Sequence, residues 1–131
     1  MVKMDIKFTF VAVTVRDAKV MLDFYQNILG LEMGYTDSAD KNVIKHYLKI
    51  PGGTLKILAP LKPPEIGPRD VMGVTGYRLF TFVVNNMMVV CHALEAKGVR
   101  FAVKPQALPD GSSWAVIVDP EGNSIEISGT G

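Results

Sequence analysis

The chain repeats one order of predicted elements, strand, helix, strand, strand, strand, and this duplication constrains its fold more than any other feature. In the first half, runs of β-branched and aromatic residues indicate strands, and apolar residues at helical spacing indicate a helix. Its predicted strands are residues 8–15, 31–35, 43–50 and 54–58, and its predicted helix is 18–29. The second half predicts strands at 77–84 and 99–103, a helix at 87–97, a loop at 104–112 and a closing hairpin.

The same start and stop signals flank both predicted helices. Asp17 and Asn86 are suited to the N-cap position, and glycine ends each helix. When Asp17 is aligned with Asn86, Gly30 falls within one residue of Gly98. Agreement at this many landmarks indicates an internal duplication. The predicted fold is therefore α+β: two tandem βαβββ modules that form a cupped mixed sheet with the helices outside.

The closing hairpin is centred on the turn Asp119-Pro120-Glu121-Gly122. Proline pre-sets φ at the first central position, the Asp side chain can bond the amides of the turn, and glycine tolerates φ > 0. The alternation on both sides of the turn predicts an antiparallel pair in which Val116 lies opposite Glu126. Trp114 then lies on the same side of the sheet, where an acid beside a tryptophan would form a pocket wall.

Composition bounds the class of protein. The 131 residues predict a single domain with modules at 6–59 and 77–128, joined by a Pro/Gly-rich connection at 60–76. Fourteen basic and 13 acidic residues balance, which argues against nucleic acid as a partner. No apolar run approaches the length that spans a bilayer, and the first residues do not have the pattern of a signal peptide. A single cysteine fits a reducing compartment, so we expect a cytoplasmic protein.

Three motifs, at residues 13–17, 24–32 and 119–126, together resemble the vicinal oxygen chelate superfamily, which includes glyoxalase I, extradiol dioxygenases and bleomycin resistance proteins. The resemblance covers nearly the whole chain and implies the duplicated fold, but the superfamily contains lyases, isomerases, oxygenases and non-catalytic binders. It also implies a homodimer, since one chain alone would leave sheet edges open.

The resemblance further implies where a divalent metal would bind in the enzymes of the superfamily. The ligand on the first strand, seven residues before the helix cap, corresponds to Phe10 in the first half and Leu79 in the second. The last strands contribute Lys56 and Glu126. Only Glu126 can bind a metal, whereas a catalytic divalent ion takes about three protein ligands. We therefore expect no cofactor, with a divalent metal ion as the alternative.

The first functional hypothesis is metal-independent binding of a small, planar or apolar molecule in the sheet cavity, as in drug-sequestering bleomycin-resistance-type proteins. An indole face suits a planar ligand. Lys56 and Glu126 would fix polar groups and could form a buried ion pair. The predicted ligand-binding residues are Phe10, Lys56, Leu79, Trp114, Val116 and Glu126.

Other hypotheses remain open at this point. A lyase, isomerase or oxygenase could use an altered metal site or Glu126 as a base, and Glu126 is the only catalytic candidate. His46 could serve a displaced metal site, although the strand pattern does not decide whether His46 or Tyr47 faces the cavity. A third hypothesis is a degenerate member whose cavity is filled and whose role is structural.

Overall fold

The structure is a computed structural model that describes residues 1–68, 71–73 and 75–131. The chain divides into two compact units, Met1–Glu65 and Ile66–Gly131. Three positions of the predicted connection lie outside the described residues: Arg69, Asp70 and Val74. No helix in the described ranges combines the length and the apolar character that crossing a membrane requires.

Each unit is a βαβββ module with its own mixed four-stranded sheet, which confirms the predicted α+β fold of two tandem modules. The sheet of the first unit has the order β1-β4-β3-β2, with β1 parallel to β4 and the other pairs antiparallel. Its elements are β1 (Phe10–Thr14), α1 (Ala18–Leu22, continued by a π-helical segment Asp23–Ile28), β2 (Glu32–Asp37), β3 (Val43–Ile50) and β4 (Gly53–Pro60).

The second unit repeats this arrangement in the order β5-β8-β7-β6. Its elements are β5 (Leu79–Val84), α2 (Met87–Ala96), β6 (Arg100–Ala107), β7 (Ser113–Val118) and β8 (Ser124–Gly129). Strand β6 continues four residues beyond the predicted end at 103, so the prediction of a loop from 104 was wrong. Pro105 is tolerated there because β6 is an edge strand whose register shifts near this residue.

A π-helical segment accounts for the one extra residue between Asp17 and Gly30 of the first unit, compared with the stretch from Asn86 to Gly98 of the second. Asp17 accepts a hydrogen bond from Val20 N and caps α1 as predicted. The backbone N–H of Leu29 donates to the carbonyl of Phe24, five residues back, at 2.9 Å. One extra residue is thus accommodated within the helix, which the prediction of a regular α-helix over 18–29 did not include.

The core of the first unit lies on one face of its sheet. Leu55 and Ile57 alternate with Lys56 along β4 and are 1% and 0% exposed. The helical segment contributes Met21, Phe24 and Tyr25, all buried. The rings of Phe24 and Tyr25 meet edge to face with centroids 5.2 Å apart, so large side chains fill the space on this side.

The closing hairpin has the predicted register, with Val116 opposite Glu126 and Trp114 opposite Ser128. The buried carboxylate of Asp119 organises the turn: Oδ1 accepts from the backbone amides of Glu121 and Asn123, both at 2.9 Å. Its Oδ2 accepts from Asn123 Nδ2 at 2.8 Å. Because these donors would be unsatisfied without the carboxylate, Asp119 fixes the connection from β7 to β8.

The end of the chain caps α2. The predicted N-cap residue Asn86 makes no side-chain capping bond. Instead, the amides of Met87 and Met88 donate to the carbonyls of Thr130 and Gly131 at 3.0 and 2.8 Å. Gly129 permits this path, since it has φ +148° and a Cβ there would lie 1.8 Å from the carbonyl oxygen of Val84.

Candidate ligand-binding faces of the two sheets

The strand registers place the predicted site residues at equivalent positions of the two sheets. Phe10 and Leu79 are each the first paired residue of their parallel strand pair. Two residues further, Ala12 pairs with Lys56 and Thr81 pairs with Glu126. The duplication has therefore put an ammonium group in the first unit where the second unit has a carboxylate.

These residues lie on the face of each sheet opposite the buried helix-side residues, which we call the helix-free face. In the second unit, Glu126 alternates with buried Ile125 and Ile127. Ile125 is aligned through Ile117 with Phe101, which lines a cavity with residues of α2 and so marks the helix side. Glu126 accordingly points away from the helix.

The helix-free face of the first unit carries a cluster of aromatic rings around the Lys56 ammonium. Lys56 Nζ lies 5.2 Å from the ring centroid of Phe10 and 5.7 Å from that of Tyr47. Phe10 and Tyr47 meet edge to face at 6.1 Å. Tyr35 stacks on Tyr47 with centroids 4.2 Å apart and ring planes 14° apart. We call these four residues the aromatic–ammonium cluster: Phe10, Tyr35, Tyr47 and Lys56.

Two members of this cluster expose part of their aromatic rings. Phe10 is 50% exposed and Tyr35 is 58% exposed, whereas Tyr47 is 9% exposed and forms the base of the cluster. Desolvation, followed by the interaction with Tyr47, raises the pKa of the Tyr35 phenol. Tyr35 is consequently a neutral ring near physiological pH, and its outer face is available for stacking.

The structure also decides between two neighbouring residues of β3 that the sequence left open. Tyr47 pairs with Lys56 and lies on its face, whereas His46 pairs with Ile57 and lies on the helix side. His46 Nδ1 is 3.0 Å from Thr36 Oγ1. Desolvation lowers the pKa of His46, which favours the neutral imidazole. His46 thus lies on the opposite face of the sheet from Lys56.

The helix-free face of the second unit exposes less aromatic surface than that of the first, and it carries the carboxylate of Glu126. Thr81 Oγ1 donates to Glu126 Oε1 at 3.2 Å. Val116 pairs with Glu126 and is buried, and Trp114 is half-buried two residues along the same strand. Leu79 lies two residues before Thr81 on β5 and is 38% exposed. This face combines one carboxylate with apolar surface.

Sequence reasoning missed Tyr35 and Thr81. Thr81 could have been found by period-two alternation from Leu79. The case of Tyr35 differs, because the β2–β3 register shifts between Met33 and Tyr35. Alternation along β2 therefore does not continue through the bulge, and only the cross-strand pairing of two tyrosines would have indicated the stack.

The residues present do not fit a divalent metal at the positions the superfamily uses. Those positions carry Phe10, Lys56, Leu79 and Glu126, and only one is a metal donor. The Lys56 ammonium lies over the Phe10 ring, and a cation placed beside it would be repelled. Within residues 1–68, 71–73 and 75–131, His, Cys, Asp and Glu form no group of three able to hold a metal ion.

Comparison with known proteins assigns the family. A sequence model of the Glyoxalase/Bleomycin resistance protein/Dioxygenase superfamily matches residues 7–127, and the chain belongs to this superfamily. No match is found among curated proteins.

Solved structures share the fold of this chain. The crystal structure of SMU.1112c is 26% identical, covers 96% of this chain and 99% of its own, and superposes with a TM-score of 0.79. A glyoxalase family protein from Enterococcus faecalis is 23% identical over 93% of this chain and 96% of its own, with a TM-score of 0.75. Lactoylglutathione lyase from Agrobacterium tumefaciens is 21% identical over 97% and 96%, with a TM-score of 0.70. The last two likenesses concern the fold alone.

Proposed function

We propose that the protein binds a small planar molecule without a metal, and that the aromatic–ammonium cluster is the main contact surface. The observation that carries this proposal is the exposed ring surface of Phe10 and Tyr35 around Lys56. In a folded protein, a partly exposed aromatic cluster on a sheet face is suited to stacking with a flat ligand.

The charge of Lys56 favours a planar ligand that carries an anionic group. Its ammonium lies against two ring faces, which leave it fewer water contacts than a free lysine would have. A carboxylate on the ligand could approach this ammonium while the ligand ring covers Tyr35. We therefore expect aromatic carboxylates to bind better than aromatic amines at the first unit.

The second unit supports a different preference on its own helix-free face. Glu126, oriented by Thr81, would accept a hydrogen bond from a ligand N–H or O–H. Trp114, Leu79 and Val116 would provide the apolar contacts. We propose this face as a recognition surface for planar molecules that carry a donor group, in keeping with its opposite charge.

We further propose that the protein acts as a cytoplasmic homodimer. Each sheet has two edge strands, β1 and β2 in the first unit and β5 and β6 in the second. The first residues also expose apolar side chains, among them Val2 at 88% and Phe8 at 69%. Open edges and exposed apolar residues favour association between copies, and sedimentation at several concentrations tests this.

Isothermal titration with 2-naphthoate tests the proposed function. We expect binding by protein kept in a chelator, and an affinity loss of about five- to thirtyfold in Tyr35→Ala, since one stacked ring and its buried area contribute about 1–2 kcal/mol. Lys56→Gln should weaken 2-naphthoate but not the matching amine, 2-naphthylmethylamine. Glu126→Gln should have the opposite selectivity.

A matched control uses a lysine outside the cluster. Lys41→Gln, in the exposed connection between β2 and β3, removes the same charge and should leave 2-naphthoate affinity unchanged. Equal losses in Lys41→Gln and Lys56→Gln would show that only net charge matters. Binding that requires added Zn²⁺ or Ni²⁺ would contradict the proposal and favour a metalloenzyme.

A further inference from the structure

The second unit contains a cavity on the helix side of its sheet, away from the helix-free face and independent of the function proposed above. Its volume is about 620 Å³, within the range of small-molecule sites. The cavity lies between α2 and the β6–β7 side of the sheet. The residues used below are Met87, Cys91, Glu95, Phe101, Lys104 and Pro105.

The duplication allows the helix sides of the two sheets to be compared. In the first unit, the helix fills the same side of the sheet with Met21 and with the rings of Phe24 and Tyr25, which are 0–3% exposed. In the second unit, the buried residues of α2 are only Met87, Cys91 and Leu94. Counted from the helix caps, Phe24 and Tyr25 align with Ala93 and Leu94, so α2 carries no ring at these positions. The first unit therefore packs two large rings on this side of its sheet, whereas the second unit leaves a partly open pocket beside α2.

The opposite wall of the cavity is opened by an irregular strand. The pairing of β6 with β7 shifts register between Phe101 and Val103 and again between Val103 and Gln106. Lys104 and Pro105 lie within the second shift and line the cavity. Because proline has no N–H to donate, the irregular pairing costs no backbone hydrogen bond at that position.

The lining has an uncharged floor and balanced charges. Met87 and Cys91 are 3% and 4% exposed and form the apolar floor with Phe101. Desolvation, followed by the charge of Glu95, raises the pKa of the Cys91 thiol, which is therefore neutral near pH 7. Glu95 and Lys104 bring one negative and one positive charge to the lining, so neither sign of ligand is favoured.

We propose that this cavity binds an uncharged, largely apolar small molecule. The balanced charges favour neither an anion nor a cation, the floor supplies apolar contacts, and methionine side chains adapt to different shapes. Its ligand class differs from that of the aromatic–ammonium cluster, and so the two proposals can fail separately.

A matched pair of probes tests the ligand class. N-phenyl-1-naphthylamine is neutral, and 8-anilino-1-naphthalenesulfonate is the same skeleton with one sulfonate. We expect the neutral probe to bind with the lower Kd. Glu95→Gln should strengthen the sulfonate by about two- to fivefold and leave the neutral probe unchanged, because it removes one rim charge. Stronger binding of the sulfonate to the unmodified protein would overturn the proposed ligand class.

Modification of Cys91, the only cysteine of the chain, tests whether the probe binds in this cavity. N-ethylmaleimide should modify it about tenfold more slowly at a neutral-probe concentration ten times its Kd. Cys91→Phe should abolish probe binding by filling the cavity, while Val89→Phe adds the same ring on an exposed position of α2 outside the cavity and should bind normally.

Three results would overturn the proposal. The first is no probe binding, and the second is binding that leaves the Cys91 modification rate unchanged. The third is a modification rate that falls with protein concentration in the absence of probe, which would mean that a second copy of the chain covers the cavity. If Cys91→Phe does not fold, the protection measurement on the unmodified protein still decides the location.

Discussion

The two units share one topology but differ in where they leave space. The first unit fills the helix side of its sheet with Phe24 and Tyr25 and exposes aromatic rings on the other face. The second unit leaves a cavity of about 620 Å³ on the helix side and buries Val116 on the other face. The two copies can therefore differ in which face of the sheet they leave open. Backbone pairing between strands does not depend on which side chains the strands carry.

Equivalent strand positions of the two units carry different side chains. Tyr35 and Tyr47 pair in the first unit where Val103 and Val116 pair in the second. Lys56 stands where the second unit has Glu126. A stacked pair beside a cation has therefore been exchanged for an aliphatic pair beside an acid, which implies different ligands for the two faces.

The largest difference is expected when a core side chain is removed from each unit. Phe24→Ala should lower the free energy of unfolding by about 3–5 kcal/mol, because it opens a void in a filled core. Cys91→Ala should cost about 1 kcal/mol or less, since its side chain already borders open space. Urea unfolding measures both, and equal losses would contradict the contrast between a filled and an open core.

The next difference concerns a glycine at the end of β8. Gly129→Ala should cost about 3 kcal/mol or more, because its Cβ would meet the carbonyl of Val84. The equivalent position of β4 carries Ala59, and Ala59→Gly should cost only about 1 kcal/mol. If Gly129→Ala unfolds at the urea concentration of the unmodified protein, the path of the chain end onto α2 is wrong.

The turn before β8 gives a smaller effect. Asp119→Ala should cost about 2–3 kcal/mol, because a buried carboxylate accepts several hydrogen bonds from the turn. Asp40→Ala is the control, since this exposed carboxylate accepts one bond, from Asn42 N, and should cost about 1 kcal/mol or less. Thermal unfolding of the two variants should separate them by several degrees, about 4 °C or more.

The smallest expected effect is a pH dependence of stability that comes from His46 in the first unit. His46 stands on the helix side of β3, where the second unit has Ala115. Desolvation lowers the pKa of His46 in the folded chain below its ordinary value of about 6.5. Its contribution to stability is thus complete above about pH 6.5 and is lost as the pH falls through the folded pKa.

His46→Gln should therefore flatten the decline in the urea midpoint below about pH 6.5, by less than about 1 kcal/mol because the imidazole is only partly buried. An unchanged pH profile in this variant would show that the decline comes from other groups.

Much of the fold was accessible from the sequence because turn chemistry and alternation act locally. The Asp119-Pro120 turn and the alternation beside it predict the Val116–Glu126 register, and the structure confirms it. The π-helical segment was not accessible, since it depends on how Phe24 and Tyr25 pack. The sequence predicts a β6 that is too short, because Pro105 indicates a loop locally, whereas an edge strand tolerates proline.

The candidate site was only partly predictable. Phe10 and Lys56 followed from the resemblance to the superfamily, and the structure brings them into contact. Tyr35 joins them only because a bulge changes the alternation of β2. The cavity beside Cys91 is not predictable from the sequence, because it depends on the irregular pairing of β6.

The most direct test of metal-free binding compares one affinity in two states of the protein. Chelator-treated protein is titrated with 2-naphthoate, and the titration is repeated after one equivalent of Zn²⁺ is added. The same Kd in both titrations, with the affinity lost in Tyr35→Ala, is the predicted result. A Kd that appears only with Zn²⁺ and depends on Glu126 but not on Tyr35 would contradict it.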